Sequence, residues 1–229
     1  MGPTRCLIIS VELVRPRRAR RIARFCGSAG FKAMFILSVM FIIGDVHGKI
    51  EKYHNLVKGC EASVQLGDFG LQREHDWHLS NIDHEKHQVL FGNHDFYPYL
   101  RFPHSLTPDY ELRGDILFVR GANSIDKHLR TEGDDWFPNE EIDYATFSDL
   151  VSEITTMKPE IIISHDCPKF LYQTFFGIDG KSRTNQGLQA CFEAFQPKMW
   201  VFGHHHKSKD EIIEGTRFIC LAELEALFI

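Results

Sequence analysis

From residue 40 onward, short apolar runs alternate with stretches whose apolar residues recur every three or four positions. The runs at 40–43, 62–66, 88–91, 116–119, 160–163 and 199–202 are four or five residues long, the length of buried strands rather than helices. Residues 216–221 alternate and read as a late strand. Between the runs, 49–58 sets Ile50, Tyr53, His54 and Val57 at helical spacing. Residues 143–157 set Phe147, Leu150, Val151 and Ile154 on one helical face, and Pro159 follows as a stop. A further helix is expected over 184–195, ended by Pro197. Strands alternating with helices predict an α/β or layered α+β domain. Segments 71–87 and 97–115 are polar, contain His and Pro, and read as loops or short helices over a site. No internal repeat, low-complexity tract or second domain is visible.

Five of the apolar runs end in a short polar motif. In chain order these are Gly44-Asp45-Val46-His47-Gly48, Gly67-Asp68-Phe69-Gly70, Gly92-Asn93-His94-Asp95, Ser164-His165-Asp166 and Gly203-His204-His205-His206. Each alone is weak. A Gly-Asp pair is usually a turn, because both residues favour turn geometry, and a His triplet can be a solvated loop. Five strand-terminated occurrences in one chain are a different matter. They point to a metal site at one edge of a sheet.

The residue types support that reading. Asp45 and His47 are two apart, so in extended backbone they face the same side, and so do His204 and His206. The Asp68 carboxylate can bridge two cations. Asn93 offers an amide oxygen, and His165 an imidazole. Nitrogen and oxygen donors without thiolate suit Mn, Fe, Zn or Ni better than Mg or Ca. Seven candidate ligands (Asp45, His47, Asp68, Asn93, His165, His204 and His206) are too many for one ion but fit two, roughly 3.5–4 Å apart. Such a pair lowers the pKa of a bridging water and clamps the attacking and leaving oxygens at phosphorus. The expected cofactors are therefore two divalent transition metals, with Mn first. His54, His75, His78, His84, His87, His104 and His128 read as surface or structural residues.

Composition narrows the picture only a little. The 229 residues are 43% apolar and 25% charged, ordinary for one soluble domain with a substantial core. The net charge of −5 is uneven, with +7 on residues 1–39 and −12 on the rest. An acidic body argues against a nucleic-acid partner, which needs phosphate-neutralising surface. The six cysteines are scattered without a CxxC pair, as expected for reduced thiols in a cytoplasmic protein. Cys167 follows His165 closely and is expected near the site.

Residues 1–39 do not match the body. Arg-rich 15–24 followed by apolar 33–43 has the outline of a signal peptide, but the apolar stretch is too short for a membrane helix and runs straight into Asp45. An organelle transit peptide has similar composition. The favoured expectation is a third one. Met40 is the natural start, residues 1–39 are a basic extension outside the core, and 40–229 form the domain.

The five motifs together resemble the calcineurin-like metallophosphoesterase superfamily, over about residues 40–221. The resemblance implies an α/β fold, a four-layer αββα sandwich with mixed sheets and a dinuclear metal site at the strand C-terminal ends. It implies that Asp45, His47 and His206 hold the first metal, that Asp68 bridges, and that Asn93, His165 and His204 hold the second. His94 would be the unmetallated catalytic acid that protonates the leaving oxygen. One branch, the Ser/Thr phosphatases, carries GDxVDRG at the second motif. Here Leu71 stands where the Asp that orients the catalytic His is expected, and Gln72 where the phosphate-binding Arg is expected. The third motif ends in Asp95, where many members have Glu. The sequence is closer to small bacterial and phage phosphoesterases. Asn93, Lys127 and Arg130 are the candidates for substrate contact.

Three function classes follow. The leading one is metal-dependent hydrolysis of a phosphomonoester or phosphodiester of a small or nucleotide-like substrate. A nuclease is the second, disfavoured by the acidic body and the lack of a basic–aromatic stripe. A non-catalytic scaffold is the third, disfavoured by the intact ligand set and His94.

Overall fold

The computed structural model describes residues 40–70, 81–100, 105–107 and 109–229. The extension at 1–39, the diverging positions Leu71, Gln72 and Arg73, and His75, His78 and His104 lie outside the described residues.

Two mixed sheets pack face to face. The smaller is formed by β1 (Phe41–Ile43), β2 (Ser63–Gln65), β3 (His87–Val89) and β10 (Ala226–Phe228), in the order β10-β1-β2-β3. The larger is formed by β4 (Tyr110–Arg113), β5 (Ile116–Val119), β6 (Ile161–Ser164), β7 (Met199–Phe202), β8 (Lys209–Ile213) and β9 (Thr216–Cys220), in the order β4-β5-β6-β7-β9-β8. In each sheet the parallel strands run side by side, and the antiparallel partners β10, β4 and β8 lie at edges.

Side-chain alternation along these strands creates three cores. Ile42, Val64, Phe118, Ile163, Val201 and Ile219 face inward between the sheets. Phe41 and Ile43 face outward onto helix α1 (Ile50–Val57), which contributes Ile50, Tyr53 and Val57. Leu117, Ile162, Trp200, Phe202 and Phe218 face the other way, onto helices α2 (Tyr144–Met157) and α3 (Arg183–Ala194). Three apolar interfaces make the order helix, sheet, sheet, helix. Strands buried on both faces are continuously apolar, which is why they stand out in the sequence. Asp143 caps α2 by accepting from the Thr146 amide at 2.8 Å, and Ser182 caps α3 by accepting from the Asn185 amide at 3.0 Å.

The segment 97–115, expected to be loop or short helix, instead contains the edge strand β4. Its Tyr-Glu-Leu-Arg sequence is half-buried throughout, and polar residues are what an unpaired edge tolerates. The same reason hid β8, and β10 extends the domain past residue 221 to Phe228. Among the described residues no helix is long and apolar enough to cross a membrane.

Candidate metal centre

The parallel strands β1, β2, β3, β6 and β7 end at one edge, and the loop after each carries one of the polar motifs. Ligand atoms of Asp45, His47, Asp68 and His206 lie within 4.8 Å of one another, and so do those of Asp68, His165 and His204. Asp68 belongs to both groups. Asn93 Oδ1 lies 3.3 Å from His165 Nε2, which places the amide beside the second group. The smaller sheet supplies Asp45, His47, Asp68 and Asn93, and the larger supplies the other three histidines. The cluster therefore straddles the seam between the sheets.

The expectation that His204 and His206 share a side is corrected. They enter different groups, because both have left-handed backbone, with φ of 63° and 52°. Strand alternation no longer applies there. His47 (φ 46°) and Asp68 (φ 53°) are left-handed as well. Of the seven non-glycine residues with positive φ among the described residues, four are candidate ligands. Each such residue costs of order 1–3 kcal/mol and persists only where its surroundings hold it. The motif glycines make room for this crowding. A Cβ on Gly92 would overlap Asp68 Oδ1, and one on Gly203 would overlap Asp45 Oδ1.

Hydrogen bonds fix the orientation of each group. His165 Nδ1 donates to the Leu66 carbonyl at 2.7 Å, which turns Nε2 toward Asp68 and Asn93. Asn93 donates through Nδ2 to Ser124 Oγ at 3.1 Å, so its oxygen faces the cluster. Ser124 in turn donates from its hydroxyl and its amide to Glu140, at 2.8 and 2.6 Å. Asp95 accepts from the amides of Gly70 and Gly92, at 3.0 and 2.8 Å, and ties the second motif to the third. Ser124, Glu140 and this role of Asp95 were not foreseen. Only the position of Asp95 inside a motif gave a signal.

The donor set fits divalent cations. Asp45 and Asp68 are buried, and their Oδ2 atoms, with Nδ1 of His204, have no hydrogen-bond partner. Burial holds the His204 imidazole down near a pKa of about 4, so it is neutral and its lone pair is available. Burial opposes ionisation of Asp68, but the neighbouring His165 outweighs it and keeps the carboxylate low. His47 Nε2 and His206 Nε2 stand 2.8 Å apart beside the carboxylates.

A third group, Asp166, Cys167 and His205, also comes together, and its chemistry differs. Asp166 already accepts from the Tyr172 hydroxyl and the Cys167 amide, and burial pushes the Cys167 thiol well up, so it offers no thiolate. His205 sits 3.5 Å from Asp166 and stacks on Phe176 at 3.9 Å. It anchors the loop between two left-handed neighbours.

His94 stands beside the cluster and in neither ligand group. Its amide donates to Asp68 Oδ1 at 2.8 Å, and its ring lies 5.5 Å from that of His47. Arg130 reaches it, with one guanidinium nitrogen 2.8 Å from His94 Nδ1. Guanidinium only donates, so Nδ1 accepts in this contact, and the same guanidinium nitrogen lies 3.4 Å from Nε2. Asp126 takes two bonds from Arg130, both at 2.9 Å, and holds it there. Lys127, the other substrate-contact candidate, points elsewhere, to Asn123 Oδ1 at 3.1 Å and over the Trp136 ring. Both come from the loop after β5, a strand whose end carries no motif.

Comparison with known proteins agrees with this geometry. The family model for calcineurin-like phosphoesterases matches residues 39–208. Among solved structures, the phosphopantetheinyl hydrolase of Mycobacterium tuberculosis matches at 12% identity and a TM-score of 0.55, over 81% of this chain and 89% of that one. A dimetal phosphatase from Danio rerio matches at 14% and 0.53, over 81% and 87%. A candidate 5′-nucleotidase from Staphylococcus aureus matches at 14% and 0.54, and its match spans 83% of this chain but half of that longer one. At these identities the likeness is one of fold. No curated protein matches this chain in sequence.

Proposed function

This chain belongs to the calcineurin-like phosphoesterase family, which makes it a metal-dependent hydrolase of phosphoesters, and on that premise we propose that it cleaves a phosphomonoester or phosphodiester of a small or nucleotide-like molecule. The observation that carries the reading is one carboxylate, Asp68, common to two groups of ligand atoms, with His94 beside it in neither.

In this reading Asp45, His47 and His206 would hold one divalent ion, Asn93, His165 and His204 would hold the other, and Asp68, common to both groups, would serve each. Mn is the first choice, and Fe, Zn or Ni suit the same donors. Bound there, the ions would supply the charge that activates water and offsets the negative charge building on the phosphoryl oxygens. The rest falls to the chain. Arg130, gripped by Asp126, orients a phosphoryl oxygen through its fork of donors. It supplies the anchor that Gln72 cannot. With Arg130 turned to the phosphoryl oxygen, Nδ1 of His94 is free to take a second proton, and the doubly protonated ring gives one proton to the leaving oxygen and returns to neutral imidazole. The Asp68 carboxylate fixes the His94 backbone, and Ser124 fixes Asn93. Free thiols at Cys60, Cys167, Cys191 and Cys220 support a cytoplasmic setting.

The test is a side-by-side measurement of kcat/KM with Mn-reconstituted protein on an aryl phosphate, an aryl phosphodiester and phosphoserine or phosphothreonine peptides. Metal-dependent turnover of the aryl esters, with much weaker turnover of the peptides, is expected. A clear preference for the peptides contradicts the small-substrate reading. No metal-dependent turnover of any ester contradicts the reading as a whole.

A further inference from the structure

Beside the metal centre lies a cavity of about 580 Å³, within the range of small-molecule sites. One wall is the segment from Asn123 to Glu141, and the other runs from Tyr172 to Asn185. Two features connect it to the reacting end. Glu140 lines the cavity and accepts from Ser124, which holds Asn93. Lys127 lines the cavity too, and Arg130, three residues on, touches His94. Through Glu140 and Ser124 the cavity lies two hydrogen bonds from Asn93.

The lining has two kinds of chemistry. Trp136, Ile125 and Ile178 are apolar, and the two isoleucines are exposed to solvent at 87% and 52%. With Trp136 they give the cavity an apolar side. The charged groups are not balanced in their commitments. Glu140 is taken by Ser124, Glu141 by the amides of Arg183 and Thr184, and Asp179 lies 3.4 Å from Lys181. Lys127 faces only the neutral amide of Asn123 and the Trp136 ring. The amides at the start of α3 are occupied by Glu141 and Ser182, and the Arg183 guanidinium, also in the lining, donates to the carbonyls of Ile142 and Glu141, which leaves Lys127 for an anion. Asn185 also lines the cavity. It is 1% exposed, and its Oδ1 has no hydrogen-bond partner.

We propose that this cavity holds the alcohol side of the phosphoester, and that the group it takes is a flat, largely apolar ring carrying a further anionic group, as in a nucleoside bearing a second phosphate. The ring lies against Trp136, Ile125 and Ile178, and the anion meets Lys127. The inference rests on the phosphoesterase reading above and adds the class of leaving group.

Two measurements test it. The first needs no metal and no turnover: isothermal titration of the metal-free protein with adenosine 3′,5′-bisphosphate and with adenosine. The bisphosphate should bind, at least tenfold more tightly than adenosine. Lys127→Met should weaken the bisphosphate at least tenfold, and Trp136→Ala should weaken both. Lys127 is exposed, so its replacement leaves the packing intact. The second compares kcat/KM for the bisphosphate and for p-nitrophenyl phosphate, whose aryl leaving group carries no second anion. The ratio of the two should fall at least tenfold in Lys127→Met, through KM rather than kcat. No binding to the metal-free protein, or equal losses on both substrates, overturns the proposal. Binding lost in Lys127→Met together with no hydrolysis of any ester supports the cavity and contradicts the catalytic reading, so the two failures remain distinct.

Discussion

Around Asp68 the backbone is bent at four ligand positions into left-handed conformations, and the carboxylates are buried. Around Trp136, a few residues from Arg130, no cavity-lining residue is left-handed, and Ile125, Lys127 and Lys181 stand in solvent. The first region is held by strand ends from two sheets and by hydrogen bonds accepted by Leu66, Asp95 and Ser124. The second is held mostly by one loop and the start of α3. The contrast divides the work of the enzyme. Geometry needed for the bond-breaking step is locked into the sheet edge, where a shift of one residue would lose it. The proposed contacts with the variable part of a substrate sit on surface segments that can change without disturbing the strands.

That division can be broken by substitution, beginning with the largest effect. Asp68→Ala removes the carboxylate common to both ligand groups. Activity on every ester should fall to background, and bound metal, measured by plasma emission, should drop below two ions per chain. Retention of two ions would show that Asp68 is not the shared ligand. His94→Asn should keep both ions and lower turnover roughly 10²–10⁴-fold. The loss should be smaller for good leaving groups, and equal loss across leaving groups would assign His94 an electrostatic role instead. Arg130→Met removes a charge-assisted contact and should cost about 10–100-fold in kcat/KM on all substrates. A loss confined to bulky substrates would move Arg130 from the reacting end to the cavity. Ser124→Ala should be mildest, about tenfold in affinity for one ion, the low end for a group that orients a ligand. Calorimetric titration of that variant with Mn should show one weakened and one unchanged site.

The rigid region is the one that could be read in the sequence. Its strands are buried on both faces and so are runs of Ile, Val and Phe. Its candidate ligands are Asp, Asn and His placed just after those runs, beside glycines that crowding demands. Edge strands β4 and β8 left no such trace, because Tyr110–Arg113 and Lys209–Ile213 mix charge with apolar residues. The separation of His204 from His206 was illegible too. It depends on left-handed backbone at both residues, which strand alternation cannot anticipate. Arg130 was nominated from a loop after β5, but its contact with His94 arises from tertiary folding and from the grip of Asp126. The cavity had no sequence signature, since its walls are far apart in the chain.

The central claim is that two ions share Asp68, and anomalous diffraction from a crystal soaked in Mn tests it most directly. The account predicts two peaks roughly 3.5–4 Å apart, both touching Asp68, one beside Asp45, His47 and His206 and the other beside Asn93, His165 and His204. A single ion held by His204 and His206 away from Asp68 would contradict it.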